Sequence, residues 1–152
     1  MTIARMAGIL ALGLLAGCSA FGDDEEEVAL EQRPASEIYA QGEALLADDQ
    51  PAQAARVFDE IERLYPFSQF AKRALVMSAF ASYEAGQYAA ARAAAQRYVD
   101  LYPADKDAAY AQYLIALTHY DNITDVGRDQ GKTEAALDAL QVVTQRYPES
   151  DY

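Results

Sequence analysis

The sequence predicts an all-α protein: a short solenoid of about three helical hairpins, preceded by a leader and an acidic tether. Three observations carry that prediction. Tyr-Pro dipeptides recur at Tyr65-Pro66, Tyr102-Pro103 and Tyr147-Pro148, spaced 37 and 45 residues apart. An apolar stripe at helical spacing runs into each of them. No stretch shows the period-two alternation that a half-buried strand requires. Hairpins recurring at such an interval bury their apolar faces only by stacking on neighbours, so the repeat decides the architecture.

The elements follow in chain order. Arg5 supplies a short positive start, Met6 to Ala16 is an apolar run, and Leu15-Ala16-Gly17-Cys18 closes it. That run is too short to span a bilayer and reads as the core of a signal peptide over residues 1–17. Its ending resembles the lipobox of bacterial lipoproteins. The resemblance implies cleavage before Cys18, a diacylglyceryl thioether on its sulfur and an acylated amino group. Two or more acyl chains anchor a protein stably, whereas one holds it marginally. Lipoproteins kept at the inner membrane usually carry Asp after that Cys; here it is Ser19, which implies the outer membrane of a Gram-negative bacterium, facing the periplasm. Cys18 is the only cysteine, and acylation leaves no thiol for a disulfide or a metal site.

Residues 18–34 read as a charged, extended tether. Asp23, Asp24, Glu25, Glu26, Glu27 and Glu31 stand there against Arg33 alone, and residues 34–152 hold 18 acids and 10 bases, a net −8. Like charges in a run repel and extend a linker. An acidic body argues against nucleic acid as a partner and against electrostatic adhesion to anionic lipid, so contact with the membrane is expected through the lipid alone.

The repeat domain is expected over residues 35–152, with repeats at about 36–66, 69–103 and 107–148. The first helix of each pair is predicted over Ser36–Ala47, Ser68–Glu84 and Asp107–Tyr120. Second helices carry the stripes Ala54, Phe58, Ile61, Tyr65; Ala91, Ala95, Tyr98, Tyr102; and Ala136, Leu140, Val143, Tyr147. Proline ends each one. Asp49, Gly86 and Gly131 stand seventeen residues before each proline and are expected as turn residues, with Pro51 in a first helical turn. This pattern resembles tetratricopeptide repeats. The third repeat is eight residues longer, and the excess falls in 121–130, an inter-helix loop in which Asp125, Arg128 and Asp129 are candidates for a partner contact.

In tetratricopeptide domains the first helices line the concave face. Repeat phase then places Tyr39, Glu43 and Leu46 there from repeat one. Repeat two offers Arg73, Val76, Phe80 and Tyr83, and repeat three Tyr110, Tyr113, Leu117 and Tyr120. An aromatic stripe at helical spacing fits a core as well as a groove. The tyrosines favour a groove, because Tyr suits a surface with one wet and one apolar end. Lys72 and Arg73 lie beside it, and a guanidinium can meet a carboxylate.

Longer motifs make the resemblance specific. They are Ser36-Glu37-Ile38-Tyr39-Ala40, Arg63-Leu64-Tyr65-Pro66-Phe67-Ser68, Asp107-Ala108-Ala109-Tyr110-Ala111-Gln112-Tyr113-Leu114, Gly127-Arg128-Asp129 and Arg146-Tyr147-Pro148-Glu149-Ser150-Asp151-Tyr152. Together with the Cys and the acidic tether, they resemble the BamD family of outer membrane protein assembly lipoproteins across essentially the whole chain. The resemblance implies a scaffold that binds a BamA-like β-barrel assembly protein at its periplasmic domains, alongside accessory lipoproteins. It also implies handling of unfolded outer membrane protein segments ending in an aromatic residue. Family members usually have about five repeats, so the chain is expected to be a portion of a longer protein. The alternative is a periplasmic repeat adaptor linking cell-wall or division machinery to the outer membrane. Catalysis finds no support in the residues: His119 is the sole histidine, and no nucleophile elbow or phosphate loop occurs. No cofactor or metal is expected.

Overall fold

The computed structural model describes residues 30–125 and 130–152, and within them every regular element is helical. A 3-10 turn at Leu30–Gln32 leads into α1 (Ala35–Ala47), α2 (Pro51–Leu64), α3 (Ala71–Glu84), α4 (Tyr88–Leu101), α5 (Ala108–Tyr120) and α6 (Gln130–Arg146). Each helix packs on the next, giving three antiparallel hairpins stacked in a row. Cys18, the signal segment and residues 18–29 of the acidic tether lie outside the described residues, as do Arg128 and Asp129. Residues 30–34, expected as extended tether, instead dock on the first hairpin, because Glu31 pairs with Arg63 and the Arg33 carbonyl accepts from Tyr65. Among the described residues no helix is long and apolar enough to cross a membrane.

The turns explain the boundaries. Inside the first two hairpins the chain reverses through a left-handed residue, Asp49 at φ 57° and Gly86 at φ 69°. Glycine takes that conformation without a Cβ penalty, and Asp is among the few other residues that tolerate it. Pro51 then opens α2, where a missing N–H costs nothing. Gly131 departs from expectation. It sits inside α6, since the longer loop before it removes the need for a tight reversal at that position.

At the end of each hairpin the same turn recurs. The amide of each tyrosine still donates to the carbonyl four residues back: Tyr65 to Ile61, Tyr102 to Tyr98 and Tyr147 to Val143, at 2.8–2.9 Å. Proline follows and stops the ladder, because it has no N–H and its ring clashes with the preceding turn. Three residues beyond each tyrosine the chain folds back, with Ser68, Asp105 and Ser150 donating to the carbonyls of Tyr65, Tyr102 and Tyr147 at 2.9–3.0 Å. This turn occupies Ser68–Phe70, so α3 starts at Ala71 rather than at the predicted Ser68.

Packing follows the predicted stripes. Ala54, Phe58 and Ile61 are fully buried, as are Ala91, Ala95 and Tyr98, and Val143 nearly so. One apolar cluster joins α1, α2 and α3; a second joins α3, α4 and α5. Burying a side chain such as Phe58 is worth roughly 1.5–3 kcal/mol. Tyrosines also close two hairpins on themselves. The Tyr65 hydroxyl donates to the Arg33 carbonyl at 2.6 Å, and the Tyr147 hydroxyl to that of Pro103 at 3.4 Å.

Asp105 ties the second and third repeats together. It accepts from Lys72 Nζ at 2.5 Å, from the buried Tyr98 hydroxyl at 2.6 Å and from the Asp107 amide at 3.1 Å. The Lys72 bond, reinforced by the Tyr98 hydroxyl, holds its carboxyl down to about 2. Helix α6 is covered on one side only: Ala136 and Val143 are buried, while Leu137 and Val142 are exposed.

Candidate functional site

The first helices α1, α3 and α5 share one face of the stack, and the structure distributes the predicted groove residues unevenly along it. Tyr39, Arg73, Val76 and Tyr110 come together around a cleft of about 230 Å³, with Met77, Lys106 and Asp107 completing its wall. Phe80 faces a different, smaller cleft of about 90 Å³, with Leu46, Asp49, Pro51 and Glu84. Tyr113 belongs to neither; the ring of Tyr152 packs against it and against Tyr110, at centroid distances of 5.6 and 5.1 Å. Leu117 packs half-buried against the second apolar cluster, and Tyr120 stands exposed at the end of α5. Glu43 is exposed on α1. Of the candidate loop residues only Asp125 is described, and it is exposed.

The stripe is therefore part core and part surface. Tyr39 is 4% exposed and Val76 7%, so both belong to the packed interior and reach the cleft only at its wall. Tyr39 packs in tilted contacts on Phe58 and Phe70, and the Arg73 guanidinium lies over its ring at 5.1 Å from the centroid. A cation in that position is attracted by the ring quadrupole. The Tyr39 hydroxyl is buried without a hydrogen-bond partner, and burial pushes its ionisation upward. Burial, with the neighbouring Tyr152 hydroxyl, likewise pushes Tyr110 up to about 12. Tyr83 is committed elsewhere, its hydroxyl donating to the Asp121 carboxylate.

Of the two candidate cations, one is already engaged. Lys72 is held by Asp105, whereas Arg73 is exposed and makes no ion pair among the described residues. Four residues of the site escaped the repeat argument: Met77, Lys106, Asp107 and Tyr152. Position along the turn is the signal that finds the last two, since each stands five residues after the tyrosine of a Tyr-Pro pair.

The face suits binding of a chain segment. It offers rings and a cation, and among the described residues it has no base paired with a nucleophile. Among the described residues no three His, Cys, Asp or Glu side chains are grouped to hold a metal ion. His119 is half-buried, and burial followed by the Arg92 charge lowers its affinity for a proton. On the opposite side, an open cleft between α2 and α4 is lined by Asp59, Glu60, Glu62, Arg63 and Arg97. Its arginines are satisfied internally, Arg63 by Glu60 and Glu31 and Arg97 by Glu62 at 2.6 Å.

A stack of helical hairpins with a ring-lined first-helix face defines a class, the helical-repeat solenoid. Residues 31–152 match the model of the YfiO family, described as an outer membrane lipoprotein. The chain belongs to that family. It is 37% identical over 147 residues to the outer membrane protein assembly factor BamD of Caulobacter vibrioides, covering 97% of this chain and 48% of that protein. BamD of Rickettsia prowazekii is 32% identical over 148 residues, covering 97% of this chain and 57% of the relative. BamD of Vibrio cholerae is 27% identical over 162 residues, covering all of this chain and 65% of the relative. The chain spans about half the length of the first two relatives.

Proposed function

We propose that this chain acts as a non-catalytic scaffold in outer membrane protein assembly, held at the membrane by lipid on Cys18. In this reading it binds a BamA-like barrel-assembly protein and receives unfolded segments of outer membrane proteins on the face formed by α1, α3 and α5. One observation carries the reading: the Tyr152 ring rests on Tyr110 and Tyr113, so this face accepts an aromatic side chain from a non-helical segment. The exposed Arg73 guanidinium lies along the same face, where it would meet a terminal carboxylate. The relatives' shared name, assembly factor, supports the same role.

Co-purification tests the partner. Tagged full-length protein extracted from envelopes in mild detergent should bring down the BamA-type barrel protein, and Cys18→Ala should leave the membrane fraction. Recovery of clean tagged protein with no barrel protein would overturn the assembly role. A fluorescent peptide ending in aromatic-X-Phe should bind saturably, more weakly to Tyr113→Ala and Arg73→Ala. Undiminished binding to both variants would move substrate recognition off this face.

A further inference from the structure

The two ends of the helix stack differ in chemistry. One end holds the turns inside the hairpins, where Asp48, Asp49, Glu84 and Asp121 are all exposed. The other holds the Tyr-Pro turns, and its exposed residues include Pro66, Phe67, Leu101, Pro103 and Ala104. Phe67 is 101% exposed, so nothing in the fold covers its ring. Its backbone is nevertheless fixed. The Ser68 amide donates to the Tyr65 carbonyl at 2.9 Å, and the Ala71 amide to the Ser68 carbonyl at 3.1 Å. An apolar ring held rigidly in water gains free energy from any surface that covers it.

Location tells what that surface is. Two residues after each turn tyrosine stand Phe67, Ala104 and Glu149, so the apolar character of this position falls along the stack. It is greatest where the tether enters. Tyr65 donates to the Arg33 carbonyl at 2.6 Å and Arg63 pairs with Glu31 at 3.1 Å, which pins the root of the tether to the turn that carries Phe67. Residues 18–29 reach at most about 40 Å when fully extended, and they end at Cys18. Lipid on that cysteine keeps Phe67 within the same reach of a bilayer.

We propose that Phe67 is a second membrane contact, its ring entering the interface of the leaflet that holds the acyl groups. The contact is apolar. The acidic body offers anionic lipid no electrostatic attraction, and a ring needs none. A single ring does not hold a free protein at a membrane. Once acyl chains confine the domain within reach of the tether, its local concentration is high and a weak contact sets its orientation. The acidic end, with Asp48, Asp49, Glu84 and Asp121, then points away from the bilayer. This geometry rests on the lipid at Cys18 proposed above; it adds which end of the domain meets the membrane, and through which residue.

The chain contains no tryptophan, so one introduced indole reports alone. Full-length mature Phe67→Trp is attached at Cys18 to vesicles of phosphatidylethanolamine and phosphatidylglycerol. One arm uses its native acyl groups, and a parallel arm a maleimide lipid that reacts with this sole thiol. Brominated acyl chains in the vesicles should quench the indole roughly twofold, and plain vesicles should shift its emission to the blue. Tyr120→Trp, exposed at the other end of the stack, should show neither effect. Both substitutions fall on exposed side chains, and helical circular dichroism checks the fold. Equal quenching at the two positions, or none at position 67, would overturn the contact. A blue shift seen only with the barrel protein present, without quenching, would make the ring a protein contact and overturn it as well. The anchor is scored separately by the mass of the Cys18 peptide. Absence of lipid there would sink the anchor alone, while the maleimide arm still decides the role of Phe67.

Discussion

The first two hairpins use the same turns and second helices of equal length, yet solve their helix crossings with opposite choices of volume. In α1–α2, Gly42 faces Phe58; a Cβ built on Gly42 would come within 2.6 Å of two Phe58 ring carbons. One repeat later the equivalent positions are Ala79 and Ala95, both fully buried. The bulk has moved one turn along the second helix, where fully buried Tyr98 replaces fully buried Ile61. What differs between the repeats is which turn of the second helix supplies the bulk at the crossing. A change on one side is then tolerated only with its complement, as close packing demands.

The largest expected effect breaks the first crossing. Phe58→Ala should cost about 3–5 kcal/mol, read as a fall in the urea midpoint. Gly42→Ala should cost about 1–3 kcal/mol by overpacking against the enclosed ring. The double variant carries Ala on both sides, as the second hairpin does. It should lose less than the sum of the single variants by about 0.5–3 kcal/mol. Strict additivity would show that the two hairpins do not share a volume rule.

The second hairpin has a dependency that the first lacks: its bulky residue is a tyrosine whose hydroxyl needs Asp105. Asp105→Ala should cost about 1–3 kcal/mol by leaving the buried hydroxyl unpaired. The pH dependence has a definite sign. The Asp105 carboxyl is lowered from 3.8 to about 2, so the unfolded chain takes up the proton first. Its contribution is complete above about pH 4 and is lost as pH falls through that range to about 2. The difference in urea midpoint between the native protein and Asp105→Asn should narrow across that window and stay constant above it. Arg73→Ala comes last, at about 0.5–1 kcal/mol for a cation over an otherwise supported ring.

The helices were legible because several independent signals agreed in register: Ala54 with Ala91 and Ala136, a proline after each tyrosine, and a turn residue before the first two second helices. Where a single signal stood alone it misled. Gly131 keeps the count of Asp49 and Gly86, but the longer loop relieves it of any turn. Ser68 has the look of a helix start, yet the recurring turn needs three residues before α3 can begin. The groove was legible only as a face. Phase placed Tyr39 and Val76 toward the cleft that they line, but depth depends on neighbours such as Phe58 and Phe70, which periodicity does not weigh. Lys72 read as an ordinary solvated charge beside Arg73, and the structure instead brings Asp105, distant in sequence, to its side. Tyr152 escaped helical periodicity because its place comes from the turn that carries it, five residues after Tyr147.

The tyrosine bonds from Tyr65 to Arg33 and from Tyr147 to Pro103 have a mechanical consequence. Each runs from the end of a hairpin to its start, so the intervening chain is a closed loop with the helix crossing inside it. Tension applied along the chain meets the bond first and is shielded from the helices until it gives. In the first hairpin the Arg63–Glu31 pair, at 3.1 Å, spans the same gap and gives with it. The 32 residues between Arg33 and Tyr65 would then pay out up to roughly 110 Å of contour. Under load the first and third hairpins are expected to lengthen in separate increments, while the second has no such clasp among the described residues.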